Sequence, residues 1–204
     1  MSQKLDLTNT YKNLYAPSAK APGMVHVPAF NFLMIDGHGD PNNNPVYAEV
    51  VEALYSLSYT LKFAIKKAEG IDYAVMPLEG LWWTPDMADF SVEDKSNWDW
   101  TMMIVQPELV TAEWVERARA EAIKKKGLSA LERIRFERYE EGPSAQIMHI
   151  GPYAAEAPTI ARLHAFIEEQ GRALGGKHHE IYLSDPRRAA PDKMKTVIRQ
   201  PVKR

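Results

Sequence analysis

Residues 178–185 contain the side chains best suited to chemistry, an acid and a phenol two positions apart. The segment reads His-His-Glu-Ile-Tyr-Leu-Ser-Asp. On a strand, side chains alternate between the two faces, so Glu180 and Tyr182 point the same way, together with His178. In a partly apolar pocket, burial would raise the pKa of Glu180. The carboxylate would then act either as a counter-charge for a cationic ligand or as a base that positions and deprotonates water. The alternative is an edge strand whose polar side chains face solvent.

Aromatic side chains supply candidate walls for such a pocket. Trp82 and Trp83 follow Glu79 near the end of a predicted strand. Adjacent indoles are costly to leave in water, so they belong either to the core or to a binding wall, and their faces suit planar or cationic ligands. Tyr153, after a Gly-Pro pair, either reaches the same cavity or is a turn residue. Phe32 lies in an apolar strand and completes the predicted ligand-binding set, while Glu180 and Tyr182 are the catalytic candidates.

Several other chemistries find no support in the sequence. The six histidines include no pair four residues apart on a helix and no metalloprotease motif, so we expect no metal site. The Gly-His-Gly-Asp stretch at 37–40 lacks the spacing of a phosphate-binding loop and is interpreted as a turn. There is no Gly-x-Ser-x-Gly elbow for a serine hydrolase. Cysteine is absent, which excludes disulfides and thiol catalysis, and no cofactor is expected.

Charge and hydropathy limit the partners. With 25 basic and 27 acidic residues the formal net charge is −2, which is not the electrostatic pattern of a nucleic-acid binder. The N-terminus has no apolar stretch typical of a signal peptide, and no apolar run is long enough to span a bilayer. We therefore expect a cytoplasmic protein that binds a small molecule, without nucleic-acid or membrane partners. Its oligomeric state is left open.

The most clearly predicted helix lies between Asn44 and Gly70. Asn44 can cap the helix, with Pro45 at its first position. Apolar residues then recur at steps of three and four from Val46 to Ile65, and a basic last turn precedes the glycine. A strand is predicted before this helix and two strands after it, which gives the order strand, helix, strand, strand.

The same order returns in the second half of the chain. The closing strands of the two halves end similarly, with Ile-Val-Gln-Pro at 104–107 and Ile-Arg-Gln-Pro at 198–201. The fold class predicted is α+β, with a duplicated strand-helix-strand-strand unit. The strands would form two antiparallel sheets or one continuous curved sheet, with a concave ligand pocket on one side and the helices on the other. The predicted divisions are an N-terminal arm at 1–24, a first repeat at about 25–107, a helical connector at about 108–137 and a second repeat at about 138–204.

From about residue 25 to the end, the chain resembles the GyrI-like family of small-molecule-binding proteins. The motifs that carry this resemblance are residues 178–188, 195–202, 148–153, 79–83, 34–37 and 39–42. The resemblance implies the duplicated fold, which is shared with the ligand-sensing domain of multidrug-responsive regulators. In those relatives a strand glutamate inside an aromatic pocket holds lipophilic cations, and Glu180 matches its position. No helix-turn-helix is recognisable ahead of the fold, so direct transcriptional control is not expected.

The resemblance also implies an activity. A subgroup of stand-alone GyrI-like proteins hydrolyses cyclopropane-bearing, DNA-alkylating natural products inside an aromatic cage. By this analogy Trp82, Trp83, Tyr153 and Tyr182 are cage candidates and Glu180 would orient the water. Two alternatives remain: a non-catalytic module that sequesters lipophilic or cationic ligands, and an interaction protein that acts on a larger partner, as the gyrase-inhibitory namesake of the family does.

Overall fold

The computed structural model of the chain describes residues 3–86 and 94–204. Its centre is one continuous antiparallel sheet in the order β2-β8-β11-β10-β5-β6-β3-β7, with β9 paired to β11, while β1 and β4 form a separate parallel pair. The strands are β1 (Gln3–Leu5), β2 (Gly23–Val27), β3 (Phe30–His38), β4 (Ile71–Tyr73), β5 (Leu78–Trp83), β6 (Asp99–Gln106), β7 (Arg135–Tyr139), β8 (Gly142–Ile150), β9 (Ala173–Leu174), β10 (His178–Tyr182) and β11 (Lys195–Lys203). The helices are α1 (Leu7–Thr10), α2 (Lys12–Tyr15), α3 (Pro45–Glu69), α4 (Ala112–Lys126), α5 (Ala130–Arg133) and α6 (Ala157–Glu169).

The duplicated unit is visible in the order of the strands. The first copy is β3, α3, β5 and β6, and the second is β8, α6, β10 and β11. In the sheet the copies meet where β10 pairs with β5. Outward from this junction, each copy adds first its last strand, β11 or β6, and then its first strand, β8 or β3. The predicted α+β class and the repeated unit are confirmed. Of the two predicted arrangements, the chain forms the single continuous sheet.

Helix α3 begins and ends where its sequence predicts. Asn44 Oδ1 accepts a hydrogen bond of 3.0 Å from the Val46 amide, and Pro45 occupies the first turn. Gly70 ends the helix in the left-handed conformation, with φ of 68°. The apolar stripe that includes Leu54 and Leu57 is fully buried, so packing of this face rather than intrinsic propensity holds the helix.

Both long helices of the repeats lie on the same face of the sheet as Glu180. Gln106 Nε2 of β6 donates to Ser58 Oγ of α3 at 3.3 Å, and Leu163 of α6 packs in a cluster with Ile198 of β11. Ile198 is the register partner of Glu180, and paired residues share a face. The expected placement of the helices on the side away from the pocket is therefore corrected. Each helix covers the outer strands of its own copy and leaves the central strands β5 and β10 open between them.

The opposite face of the sheet is covered by the N-terminal segment. Gln146 Nε2 donates to the carbonyl of Asn13 at 2.6 Å, and Arg199 Nη2 donates to that of Leu14 at 2.9 Å. Leu14 and Tyr15 are buried. The segment predicted as an arm is thus bonded to the sheet on the face away from Glu180. Within the described residues, no helix combines the length and the hydropathy needed to cross a bilayer.

Candidate functional site

A cavity of about 2260 Å³ opens on the helix face where the two copies meet. Its floor comes from the central strands and its sides from the beginnings of α3 and α6. Residues that line the deep part include Trp82, Glu180 and Tyr182 from the strands, Tyr47 and Tyr55 from α3, and Tyr153 and Glu156 from the segment before α6. A ligand there would contact both copies of the repeat.

Glu180 is held in a chain of hydrogen bonds at the bottom of this cavity. Tyr182 donates its hydroxyl to Glu180 Oε2 at 2.7 Å, and Trp82 Nε1 donates to the Tyr182 hydroxyl at 3.0 Å. His178 Nε2 lies 3.1 Å from Glu180 Oε1, and because a carboxylate only accepts, this nitrogen carries the proton. Glu180 is thus fixed in position by two neighbours on its own strand, and Trp82 on the adjacent strand holds the Tyr182 hydroxyl.

These bonds reverse the pKa shift expected for Glu180. Burial alone raises the pKa of the carboxyl, but hydrogen bonds from His178 and Tyr182 and the charge of His178 favour the anion, so the pKa lies below its usual value. The predicted rise in pKa is therefore corrected. Glu180 is ionised at neutral pH inside a largely apolar cavity.

Glu156 is the second acid of the cavity, and its pKa is shifted in the opposite direction from that of Glu180. It is buried, and burial together with the negative charge of Glu180 raises the pKa of Glu156 to about 9. Its Oε1 atom has no hydrogen-bond partner among the described residues. At neutral pH the pair therefore consists of a carboxylate at 180 and a carboxylic acid at 156, an arrangement that assigns a base and an acid.

Aromatic rings surround the carboxyl pair. The rings of Tyr153 and Tyr182 meet edge to face at 5.5 Å between centroids, and Trp98 lies 5.3 Å from Trp82. Tyr47 packs 6.3 Å from Trp82 on the α3 side. Burial raises the pKa of Tyr153 to about 12, so its phenol stays protonated and can donate a hydrogen bond. The walls therefore offer ring faces and neutral donors to a planar ligand.

Several cations line the cavity, among them Lys95. Lys95 places its ammonium 4.9 Å from the ring of Trp98, and its charge favours the ionised forms of Glu156 and Glu180. The described residues contain no group of three or more metal-ligating side chains.

A glycine makes room for the Trp82–Tyr182 contact. A Cβ added to Gly80 would lie 2.8 Å from Trp82 Nε1 and 3.1 Å from the Tyr182 hydroxyl. Gly80 is also the register partner of Glu180, at the junction of the two copies. The indole can therefore lie across the strand and reach the phenol only because this position has no side chain.

The structure brings together four of the seven predicted site residues. Glu180, Tyr182, Trp82 and Tyr153 line one cavity. Glu79, Trp83 and Phe32 do not join them, because they alternate onto the opposite face of the sheet. This corrects their predicted place in the same pocket.

On that opposite face, Glu79 belongs to a buried network of charges. His179 lies between two carboxylates, 3.0 Å from Glu79 Oε2 and 2.9 Å from Glu141 Oε1. Arg199 Nη1 donates to Glu141 at 3.2 Å, and the Tyr15 hydroxyl donates to Glu79 at 3.0 Å. Burial lowers the pKa of His179, but the Glu141 carboxylate outweighs it and raises the pKa to about 9. The space beside this network is about 10 Å³, too small for a ligand, so the network is structural.

The two remaining predicted residues make no hydrogen bond in this network, although Phe32 lines the small space beside it. Trp83 stacks under the Lys177 ammonium, 3.2 Å from the ring centroid, and Phe32 packs against Tyr139. Both are packing contacts on the face that the N-terminal segment covers.

Sequence reasoning missed Tyr47, Glu156, Trp98 and Lys95 as parts of the cavity. The duplication contains a signal for two of them. Tyr47 stands in the first turn of α3, and Glu156 immediately precedes α6. Both residues lie at or beside the start of the helix of their copy, and because the copies repeat one fold, the helix starts were the places to search for cavity residues.

Comparisons with known proteins agree with this fold. The family model of the GyrI-like small molecule binding domain matches residues 20–203. An uncharacterised conserved protein from Listeria innocua is 41% identical, with a TM-score of 0.90, 98% of this chain covered and 100% of the other. A hydrolase from Listeria innocua is 41% identical at a TM-score of 0.88, with the same coverage of 98% and 100%.

A more distant structure, the EcmrR C-terminal domain, is 13% identical with a TM-score of 0.57 over 90% of this chain and 97% of that one, and it shares the fold alone. A search of curated proteins gave no match. Because the family model spans nearly the whole chain and the Listeria structures align over their full length, the chain belongs to the GyrI-like family of small-molecule-binding proteins.

Proposed function

We propose that the protein binds planar aromatic small molecules in the cavity between its two copies and hydrolyses cyclopropanoid electrophiles there by adding water. The observation that carries this proposal is the pair of carboxyls, with Glu180 ionised and Glu156 protonated, inside a ring-lined cavity. A 41% identical relative is named a hydrolase, which supports catalysis. The activity needs no nucleic acid, and we place it in the cytoplasm because the chain lacks cysteine.

The proposed step uses both carboxyls once. The substrate class carries a cyclopropane conjugated to a cyclohexadienone. The Glu180 carboxylate takes a proton from a water molecule as the water oxygen bonds to the cyclopropane carbon. The strained carbon–carbon bond breaks, and its electron pair moves through the ring to the carbonyl oxygen, which Glu156 protonates to give a phenol. Glu180 ends protonated and Glu156 ionised, so one proton transfer between them restores the pair.

Positioning accounts for much of the expected rate. The walls of Trp82, Tyr47 and Tyr153 fix the plane of the substrate, and the Tyr182 hydrogen bond fixes the carboxylate beside it. The ammonium of Lys95 lines the same cavity and stabilises negative charge that develops on the oxygen.

The test is turnover of a spirocyclopropyl cyclohexadienone by purified protein. We expect a product heavier by one water, with the oxygen coming from isotopically labelled solvent. Glu180→Gln keeps the shape of the side chain and should lose most of the activity. Absence of product with the unaltered protein, or undiminished turnover by the Glu180→Gln variant, would contradict the proposal.

The second candidate function is sequestration of lipophilic cations without chemistry. The ionised Glu180 among aromatic rings favours it, because such a site attracts a cation through both charge and ring faces. Saturable quenching of tryptophan fluorescence by a lipophilic cation, with the dienone left intact, would support this alternative. The nearby ammonium of Lys95 argues against it, because Lys95 offsets the charge of Glu180.

A further inference from the structure

Thr196 on β11 carries a buried hydroxyl that packing does not explain. The residue is fully buried in the sheet, and its Oγ1 atom has no hydrogen-bond partner among the described residues. A valine would have nearly the same shape without burying a polar group, so the hydroxyl costs folding free energy. Native proteins keep few such groups, and one that lies next to a candidate active site requires a functional reason.

The register of the sheet places Thr196 on the face of the cavity. It pairs with Tyr182 of β10 on one side and with His149 of β8 on the other, and paired side chains share a face. Both neighbours use their polar atoms elsewhere. The Tyr182 hydroxyl donates to Glu180 at 2.7 Å, and the two ring nitrogens of His149 lie 2.9 Å and 3.3 Å from oxygen atoms of residues 159 and 152. Neither neighbour therefore occupies the Thr196 hydroxyl.

The carboxyl that the Thr196 hydroxyl can serve is that of Glu156. Burial and the charge of Glu180 raise the pKa of Glu156 to about 9, and the nearby Thr196 hydroxyl acts in the opposite direction by favouring the anion. Glu156 Oε1 is likewise buried without a hydrogen-bond partner among the residues described. Two unsatisfied oxygen atoms thus belong to neighbouring side chains at one end of the carboxyl pair.

The Thr196 hydroxyl has a role that the charged and titratable groups around Glu156 do not fill. These groups come from three parts of the chain and are Glu180, Tyr182, Tyr153 and Lys95. The Glu180 carboxylate repels a second negative charge, and the Tyr182 hydroxyl is committed to Glu180. Lys95 attracts the anion through its charge, whereas Thr196 offers a directed donor from the buried sheet.

We infer that Thr196 is a positioning residue for the acid of this site, whose hydroxyl donates a hydrogen bond to the Glu156 carboxylate that remains after proton transfer. The inference rests on the proposed function and adds a residue to its machinery. A hydroxyl hydrogen rotates about a single bond, so it can turn toward Glu156 when the charge appears. Hydrogen bonds to a charged acceptor are stronger than those to a neutral one, so the bond favours the proton transfer itself. Thr196 has no exposed surface and acts through Glu156 without touching the substrate.

The experiment removes the hydroxyl with Thr196→Val, restores one with Thr196→Ser and uses Thr101→Val as a matched control. Thr101 is 3% exposed on β6 and donates to Asp36 on the opposite face of the sheet. Because a methyl group replaces an unbonded hydroxyl, we expect Thr196→Val to fold normally.

Two independent quantities are measured in each protein. The pKa of Glu156 is followed by carbon NMR on protein labelled at the glutamate side-chain carboxyl, with the signal assigned by Glu156→Gln. The kcat and KM for the spirocyclopropyl cyclohexadienone are measured from about pH 5 to pH 11. Titration calorimetry with 2-naphthamide, a planar aromatic probe, tests whether the cavity keeps its shape.

In Thr196→Val we expect the pKa of Glu156 to rise by about one pH unit, and the alkaline fall in turnover to move up with it. The kcat at neutral pH should fall by about three- to tenfold, because Glu156 becomes a weaker acid, while KM and the affinity for 2-naphthamide stay unchanged. Thr196→Ser should restore both quantities toward their original values. Thr101→Val should alter neither.

A Glu156 pKa that is the same with and without the Thr196 hydroxyl overturns the inference, and so does an equal rise in Thr101→Val. A raised pKa with an unchanged kcat overturns the role of Thr196 in turnover, and the proposed function stands in each of these cases. If the unaltered protein converts no dienone at any pH, the proposed function fails. The NMR titration then still decides the hydrogen bond, since a rise confined to Thr196→Val supports it and no rise overturns it.

Discussion

Glu180 and Glu156 are identical side chains in one cavity, and their neighbours set their charge. Glu180 receives hydrogen bonds from His178 and Tyr182, whereas Glu156 faces the negative charge of Glu180. Two adjacent carboxylates cannot both ionise cheaply in an apolar site, so the one that receives the hydrogen bonds holds the charge. Glu180 is therefore the base and Glu156 the acid because Glu180 receives the hydrogen bonds.

The pH dependence of turnover should reveal this division. We predict that activity falls as pH rises through about 9, where Glu156 loses its proton. Glu156→Gln should lower activity at neutral pH, by about 10²-fold or more for loss of a general acid, and should remove the alkaline fall. Initial rates from about pH 5 to pH 10 test this. An unchanged alkaline fall in the Glu156→Gln variant would assign the titration to another group.

Glu156 should also make the unfolding free energy depend on pH, and the sign of this dependence follows from its raised pKa. A carboxyl whose pKa is raised in the folded state contributes stability below its unfolded pKa of 4.5, and this contribution is lost as pH rises through about 9. We predict that the unfolding free energy of the Glu156→Gln variant, compared with that of the unaltered protein, rises by a few kcal/mol as the pH is raised from about 5 to about 9. Urea denaturation at the two ends of this range measures the gain. Glu169→Gln, at an exposed position of α6, should show no such difference, and a parallel gain there would contradict the assignment.

Gly80 gives a third test at the residue scale. In Gly80→Ala the new methyl group displaces the Trp82 indole and breaks its hydrogen bond to Tyr182. We predict a loss of about 1–3 kcal/mol in unfolding free energy and weaker binding of planar ligands. Gly23→Ala is a matched control, because a Cβ there would have no neighbour within 4 Å. Equal behaviour of the two variants in denaturation and ligand titration would show that the indole is not confined by this glycine.

At the scale of elements, patterns local to one segment were predictable. Alternation on β10 places Glu180 with Tyr182 and His178, and the capping of α3 by Asn44 follows from residue types. The segment from Tyr73 to Leu78 is not one strand: β4 ends at Tyr73 and β5 begins at Leu78, because Pro77 lacks the amide that a ladder needs.

What the sequence could not supply was the pairing across elements. Nothing local to Glu141 predicts that its side chain joins His179 and Arg199, since that contact depends on how β10 and β11 meet the turn between β7 and β8. For the same reason, the sequence analysis placed Glu79 and Phe32 in the pocket, although they lie on the opposite face of the sheet. Alternation assigns each residue a face of its own strand, but only the register between strands says which faces coincide.

The buried network should dominate the stability of this face. It contains two carboxylates, His179 and Arg199, so its charges balance when His179 is protonated. We predict that Glu141→Gln costs about 3–5 kcal/mol of unfolding free energy at neutral pH, because it leaves a buried cation uncompensated. Glu140→Gln, the exposed neighbour, is the control. A cost below about 1 kcal/mol in chemical denaturation would mean that the network relaxes or admits water.

At the scale of the whole molecule, the sheet separates stability from binding. The face with α3 and α6 carries the cavity, and the face under the N-terminal segment carries the charge network and the Leu14 and Tyr15 contacts. The two faces share the backbone of the sheet, whose central pair β5 and β10 joins the copies, and the N-terminal segment adds Thr8 to the lining of the cavity. A change on the covered face should therefore alter how firmly the sheet is held without altering the shape of the cavity.

Leu14→Ala tests this separation. Leu14 is 1% exposed, so its truncation should cost about 2–5 kcal/mol of unfolding free energy, measured in urea. The folded variant should still bind 2-naphthamide with unchanged affinity, because the cavity lies on the other side of the sheet. Trp82→Phe, on the cavity floor, should do the reverse and weaken binding more than it weakens folding, since Trp82 Nε1 loses its bond to Tyr182. If Leu14→Ala lowers affinity in proportion to stability, the two faces are mechanically coupled, and the N-terminal segment must then be counted as part of the binding site.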